Sequence, residues 1–274
     1  MRTENSSQRI AVTGATGRLG PHLVEILAQR GHDVVPIARS KGVDVVSGEG
    51  LDEALVGVDT IIDAATGPSP DEEQATAFFT AAARNVQRAG AAAGAKRIVV
   101  VSIIGIDKFH SGYNAAKMAQ EQTLLEGPLP VRIVRAAQFH EFVGPLVGWT
   151  IQDGVAYVPE MRTQLVAARV VAETLADAAE EPEIENGRIT EIAGPQAERL
   201  ADAAAALFAS RGDSIEIREA RLPDDPDAAA YAEGAVLPNP GAKLAGPRFD
   251  EWLAAAEATE RTPSGTRLGH TGGG

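Results

Sequence analysis

The chain has 274 residues, of which 44% are hydrophobic and 23% charged. That is enough for one or two globular domains with a sizeable core, and it excludes disorder as the overall state. A formal net charge of −13 opposes docking on phosphate backbones or anionic lipid, so neither nucleic acid nor a membrane surface is expected as a partner. With no cysteine the chain can build neither a disulfide nor a thiolate metal site, which fits a reducing compartment. Residues 1–8 are polar without an apolar signal core, no run of about 18 apolar residues occurs, and the expected location is the cytoplasm.

From Arg9 to Arg135 short β-branched runs alternate with longer alanine-rich stretches, the pattern of βα units laid on a parallel sheet. It predicts strands at Ile10–Thr13, Asp33–Ile37, Val43–Val46, Thr60–Ala64, Arg97–Ser102 and Val131–Val134. Helices are predicted at Leu19–Arg30, Leu51–Val56, Asp71–Ala93 and Asn114–Glu126. Right-handed crossovers then give a Rossmann-type doubly wound α/β sheet. Pro36 is awkward here, because a strand in the middle of a sheet needs every N–H.

Beyond Arg135 the alternation breaks up, and Gly and Pro become frequent around Gly144–Pro145, Gly154 and Pro159. A helix at Ala167–Ala179, a strand at Arg188–Ile192, a helix at Glu198–Ser210, a strand at Ser214–Glu219 and a helix at Phe249–Glu260 predict a smaller substrate-side lobe. The expected division is a flexible start over 1–8, a dinucleotide-binding core over 9–135, an interwoven lobe over 136–261 and a fraying tail over 262–274. Oligomeric state, monomer or homodimer, is left open.

The first predicted strand runs into Thr13-Gly14-Ala15-Thr16-Gly17-Arg18-Leu19-Gly20, and a helix follows at once. Gly14, Gly17 and Gly20 supply the tight turn, the close backbone approach to a pyrophosphate and the helix–strand contact that a dinucleotide site needs, with the helix N-terminus facing the anion. Past the second strand the chain reads Ala38-Arg39-Ser40-Lys41, with no carboxylate for a ribose 2′-hydroxyl; Arg39, with Arg18 from the loop, suits a 2′-phosphate and makes NADP(H) the expected cofactor. The alternative for both arginines is an ordinary solvated charge.

Tyr113 and Lys117 stand four apart, on one face of the predicted helix. An ammonium within about 4–6 Å of a phenol lowers its pKa by roughly 1–3 units and fits it for proton transfer to or from a carbonyl oxygen. The plainer alternative is a half-buried tyrosine beside an exposed lysine.

The glycine loop, Asn85-Val86, the run Gly94-Ala95-Lys96-Arg97-Ile98-Val99-Val100-Val101-Ser102, and Tyr113 to Lys117 together resemble an atypical short-chain dehydrogenase/reductase of the NmrA-like, NAD(P)H-binding group. The resemblance is good over the first 140 or so residues and looser beyond. It implies Tyr113 as general acid/base, Lys117 as holder of the nicotinamide ribose, and Ser102 as the hydroxyl that polarises the substrate oxygen. The family's hydroxyl falls further along, where this chain has Ile104; Ser111 is a possible substitute. By the same placement Ala64, Ala65 and Thr66 should line the adenosine side of the cofactor, with Ala136, Ala137 and Phe139 near the nicotinamide.

Ile104, Phe109, His140 and Phe142 are expected to line the substrate pocket, His140 as a structural residue in preference to a proton shuttle. The five histidines show no metal-ligand spacing, and the acidic run Asp224-Asp225-Pro226-Asp227 reads as a solvated turn. The expected function is an NADPH-dependent reductase of a small carbonyl or conjugated compound. The alternatives are an NADP(H) sensor without turnover, favoured by Ile104, and an isomerase or epimerase that retains its cofactor.

Overall fold

A computed structural model describes residues 7–182, 185–221 and 226–261, with side chains described as far as 258. The predicted tail, most of the predicted flexible start, and Asp224 and Asp225 of the acidic run lie outside the described residues. The first half comprises β1 (Arg9–Thr13), α1 (Gly20–Gln29), β2 (Asp33–Ile37), α2 (Leu51–Ala54), β3 (Thr60–Asp63), α3 (Glu72–Ala93), β4 (Arg97–Ile103), α4 (Gly112–Leu125) and β5 (Val131–Ala136). The second half adds α5 (Val143–Gly148), β6 (Ile151–Gln152), β7 (Val155–Pro159), β8 (Arg162–Thr163), α6 (Ala168–Glu180) and β9 (Arg188–Ala193). It ends with β10 (Glu198–Arg199), α7 (Leu200–Ser210), β11 (Glu216–Ala220), α8 (Ala228–Ala232), β12 (Lys243–Leu244) and α9 (Phe249–Arg261).

Among the described residues seven strands form one sheet in the order β12-β9-β5-β4-β3-β1-β2, every pair parallel. This is the doubly wound Rossmann-type fold. β4 shows why it is covered on both sides: Val99 and Val101 pack into the cluster under α1 and α6, while Ile98 and Val100 enter the one under α3 and α4. α1 buries Leu23, Ile26 and Leu27, a helical stripe matched to the first face. The direction of winding reverses at β1, whose neighbours are β2 on one side and β3 on the other. The crevice outside the carboxyl ends of β1 and β3 is therefore the topological switch point, where such sheets take their ligands.

The strand expected at Val43–Val46 is not formed. Asp44 accepts the Val46 N–H at 2.7 Å while its carbonyl takes Gly48 N–H, Gly42 and Gly48 turn at positive φ, and the Val45 and Val46 carbonyls are held by the Asn85 amide. An aspartate bonding its own backbone diverts the segment from a ladder. β2 is consequently the edge strand, and an edge tolerates the donor that Pro36 lacks.

Residues after β5 return to the same sheet as β9 and β12 and also build a separate layer. There β11, β7 and β6 form a three-stranded sheet against α5 and α7, around a core of Val147, Val158, Leu200, Leu207, Phe208 and neighbours. The alternating burial of β7, Val-Ala-Tyr-Val-Pro, is a period-2 pattern that the sequence reading passed over.

Candidate active site

The glycine loop is built as its spacing requires. Gly14 turns at φ +66°, and a Cβ there would stand 2.5 Å from the Ala64 carbonyl oxygen; at Gly20 it would run into the Gly14 carbonyl oxygen and the Ala15 backbone, so the start of α1 lies backbone to backbone on the loop. At Gly17 a Cβ would touch only the Gly14 carbonyl oxygen, at 3.2 Å, so this position otherwise faces open space. The N-terminus of α1 has no side-chain cap, and Pro21 stands in its first turn, leaving backbone N–H groups to face an anion. Thr16 is exposed, Leu19 is buried beneath the loop, and Ala15 N–H donates to the Ile37 carbonyl at 3.2 Å, which brings the loop to the end of β2.

Arg39 opens the short turn after that strand; it is exposed and makes no ion pair among the described residues. Arg18 goes elsewhere. Its guanidinium lies 5.4 Å from the centre of the Phe142 ring and donates to the Glu141 carbonyl at 3.4 Å, reaching the segment after β5. Arg18 is thus engaged by the segment after β5, and only Arg39 stands at the end of β2.

Ala64, Ala65 and Thr66 leave β3 directly beside Gly14, and the Thr66 hydroxyl lies 2.9 Å from the Tyr113 hydroxyl. Tyr113 is half-buried, edge-on to Phe79 at 5.5 Å. Burial pushes its phenol above the usual tyrosine value, the Thr66 hydrogen bond opposing in part. The expected lowering by lysine is not what the structure gives, because Lys117 is turned elsewhere.

The start of α4 is held by two carboxylates. Asp227 accepts from the N–H groups of His110 and Ser111 and, at 2.8 Å, from the Ser111 hydroxyl, while Glu72 accepts Gly112 N–H at 2.7 Å. Asp227 is buried, which corrects the solvated turn expected there, and the hydroxyl of Ser111 is committed to it and not to Tyr113. Asn114 donates to the Tyr231 hydroxyl at 2.5 Å, tying α8 to the same helix end.

Lys117 is buried. Its ammonium donates to the Val101 carbonyl at 2.8 Å and to Gln120 Oε1, and sits 4.7 Å from the centre of the Phe79 ring. Desolvation lowers its pKa from 10.5 to about 8, with the charges of Asp63 and Glu121 opposing. Glu121 is itself forked by Arg135, at 3.2 and 2.9 Å. Asp63 and Gln120 were not singled out by sequence reasoning. The available signals were a carboxylate ending a β-branched run and a glutamine three residues after Lys117 on the same helix face.

The remaining predicted residues divide. Ser102 lies on the α4 side of β4 with a buried hydroxyl that finds no partner. Ile104 is fully buried among the residues under α1 and α6, and Phe109 is buried in the second-half core against Tyr231 at 4.5 Å. Ala136 and Ala137 are buried as β5 ends, and Phe139 is half-buried beside Val166. His140 packs between Phe249 at 5.3 Å and Trp252 at 5.4 Å, with Nε2 against the Pro247 carbonyl at 3.2 Å and Nδ1 buried without a partner; burial lowers its pKa to about 4. Phe142 is half-buried beneath Arg18, edge-on to the exposed Trp149 at 5.7 Å. No helix among the described residues is long and apolar enough to cross a membrane.

A family model described as NAD(P)H-binding matches residues 14–182. The chain is similar to an L-arabinose 1-dehydrogenase (NAD(P)(+)) of Haloferax volcanii, 34% identical over 125 residues that cover 42% of this chain and 48% of the relative. It is also similar to a 4-hydroxy-tetrahydrodipicolinate reductase of Natronomonas pharaonis, 29% identical over 160 residues covering 57% of this chain and 54% of the relative. The chain thus spans about half the length of these relatives. A dTDP-4-dehydrorhamnose reductase from Bacillus anthracis, solved in complex with NADP, shares the fold with a TM-score of 0.68 over 92% of this chain and 99% of that chain, at 19% identity.

Proposed function

We propose that this chain, which belongs to the NAD(P)H-binding family, is an oxidoreductase of the atypical short-chain dehydrogenase/reductase type that uses NADPH to reduce a small carbonyl or conjugated compound, with Tyr113 as its general acid. The observation that carries the reading is the position of Tyr113: its hydroxyl meets Thr66 at 2.9 Å, on the strand end that also backs Gly14.

The residues present fit the cofactor. The open side of Gly17, the uncapped N-terminus of α1 and the unpartnered Ser102 hydroxyl are three features that a bound dinucleotide and its substrate would use. In this reading the loop N–H groups hold the pyrophosphate, Arg39 the 2′-phosphate, Ala64 to Thr66 the adenosine side, and Tyr113 with Lys117 stand beside the nicotinamide. The cofactor supplies a hydride when bound. Tyr113, its pKa raised by burial, keeps its proton throughout the neutral range, as suits a group that donates to an oxygen gaining negative charge. Thr66 orients that phenol, and Ser102 is the candidate hydroxyl for the same oxygen.

One observation favours a second reading, an NADP(H)-binding sensor without turnover: the Lys117 ammonium is engaged by Val101 and Gln120 rather than by Tyr113. NADPH consumption against a panel of small carbonyl and enone compounds separates the two. A reductase oxidises NADPH with at least one of them, and Tyr113→Phe lowers that turnover by about 10²–10⁴-fold while leaving NADPH affinity within about tenfold. Turnover at the original rate in Tyr113→Phe removes the phenol from the chemistry. Binding with no turnover of any compound leaves the sensor.

A further inference from the structure

We propose that Asp63, acting through the Gln120 side-chain amide, is the positioning residue that sets where the Lys117 ammonium points. The inference rests on the reading of Lys117 as part of the cofactor site. Asp63 ends β3 and is buried; its Oδ1 accepts from the Thr13 hydroxyl at 2.6 Å and from Ala65 N–H at 3.3 Å, and its Oδ2 from Gln120 Nε2 at 2.9 Å. Gln120 Oε1 in turn accepts from the Lys117 ammonium.

The polarity of this chain is fixed. A carboxylate has no proton to give and an ammonium no lone pair to offer, so a glutamine between them bonds both only with its NH₂ toward Asp63 and its oxygen toward Lys117. Turned over, it would set NH₂ against NH₃⁺ and oxygen against carboxylate. The buried charges of Asp63 and Lys117 therefore compensate one another across a neutral connector that admits one orientation.

The other groups facing Lys117 do not share this role. Glu121, on its own helix, is forked by Arg135 from β5; α3 presents the Phe79 ring; β4 presents the Val101 carbonyl. Tyr113, one turn earlier on α4, is bonded to Thr66. Asp63 is thus the carboxylate whose charge is left for Lys117. It also joins three parts of the site, since Thr13 precedes Gly14 and Ala65 precedes Thr66. Burial depresses the pKa of Lys117, and the charge of Asp63 opposes that depression more than the charge of Glu121 does.

The test follows the ε-carbon signal of Lys117, labelled with ¹³C and assigned by its loss in Lys117→Arg, through a pH titration of the cofactor-free protein. In the unmodified chain the midpoint lies near 8. Asp63→Asn, which keeps the size and removes the charge, moves it down by about one unit, and Asp63→Glu restores it in part. NADPH affinity, measured on the same samples at neutral pH, falls about tenfold in Asp63→Asn. A folded Asp63→Asn protein whose Lys117 midpoint is unchanged overturns the proposal. Should that variant fail to fold, Gln120→Glu decides: a carboxylate placed directly on the ammonium raises the midpoint, and an unmoved or lower midpoint overturns the proposal. If the unmodified protein binds no NADPH, the proposed function fails, while the midpoints still judge the link from Asp63 to Lys117.

Discussion

Tyr113 and Lys117 illustrate how far a spacing can be read. Their separation of four places them on one helical face, yet the phenol stays at the crevice with Thr66 while the ammonium turns inward to Val101 and Gln120. The sequence shows that they share a face but not that Thr66, just past β3, and Val101 of β4 meet them; Gln120, three residues on along α4, is the one partner close by in the chain. The link from Asp63 to Gln120 is illegible because 57 residues separate them. Thr66 was legible as a residue of the cofactor side and not as the partner of Tyr113. On the present account Thr66→Val removes one orienting hydrogen bond, and turnover falls by about tenfold, the usual worth of one such bond. A turnover ratio near unity would show that Thr66 does not orient the acid.

His140 makes a prediction of a different kind. Its pKa in the folded chain is about 4, below the ordinary 6.5, so between these values the unfolded chain binds a proton that the folded chain refuses. Stability then rises with pH across that window and is lost as pH falls through it. The loss attributable to this ring is about 3 kcal/mol. In His140→Gln the fall in melting temperature between about pH 6.5 and about pH 4 becomes shallower than in the unmodified protein; parallel curves would assign the acid sensitivity to other groups.

At the scale of elements, strand–loop–helix at the N-terminus was readable because glycine at a required turn leaves little choice. Gly14 and Gly20 each lack room for a side chain, whereas Gly17 has room on one side. That difference gives a clean variant. Gly17→Val puts a branched side chain into the open side of the loop, so the protein folds with a melting temperature close to the original while NADPH affinity falls by more than about a hundredfold. Normal binding by the folded variant would mean that the loop does not cradle the pyrophosphate. The strand expected at Val43–Val46 failed for an equally local reason: Asp44 and the flanking glycines close a turn before any neighbour can pair. β7 was overlooked because its five residues alternate cleanly but stand among glycines and prolines, where turns were the stronger signal.

At the scale of the molecule, the reversal of winding at β1 explains why residues from three separate segments meet. The ends of β1 and β3 place Gly14 against Ala64 and Ala65, Thr66 carries the contact on to Tyr113, and α4 delivers Lys117 beneath. The parallel, doubly wound character of the sheet was legible from the βα alternation, but its order was not, because β3 follows β2 in the chain and yet pairs with β1. The return of β9 and β12 to the same sheet was not legible either, because their partners lie across a long irregular stretch. Arg18, assigned with Arg39 to one phosphate by sequence, is drawn instead to Glu141 and Phe142. The proposed preference for NADPH therefore rests on Arg39, exposed and free of any ion pair among the described residues.

A titration of the purified protein with NADPH and with NADH, repeated on Arg39→Ala, tests the central claim directly. NADPH is expected to bind about ten- to a hundredfold more tightly than NADH, as a charge-assisted contact of about 1.5–3 kcal/mol implies, and Arg39→Ala to bring the two affinities together by weakening NADPH alone. Equal affinity for the two cofactors in the unmodified protein, or no binding of either, would contradict it.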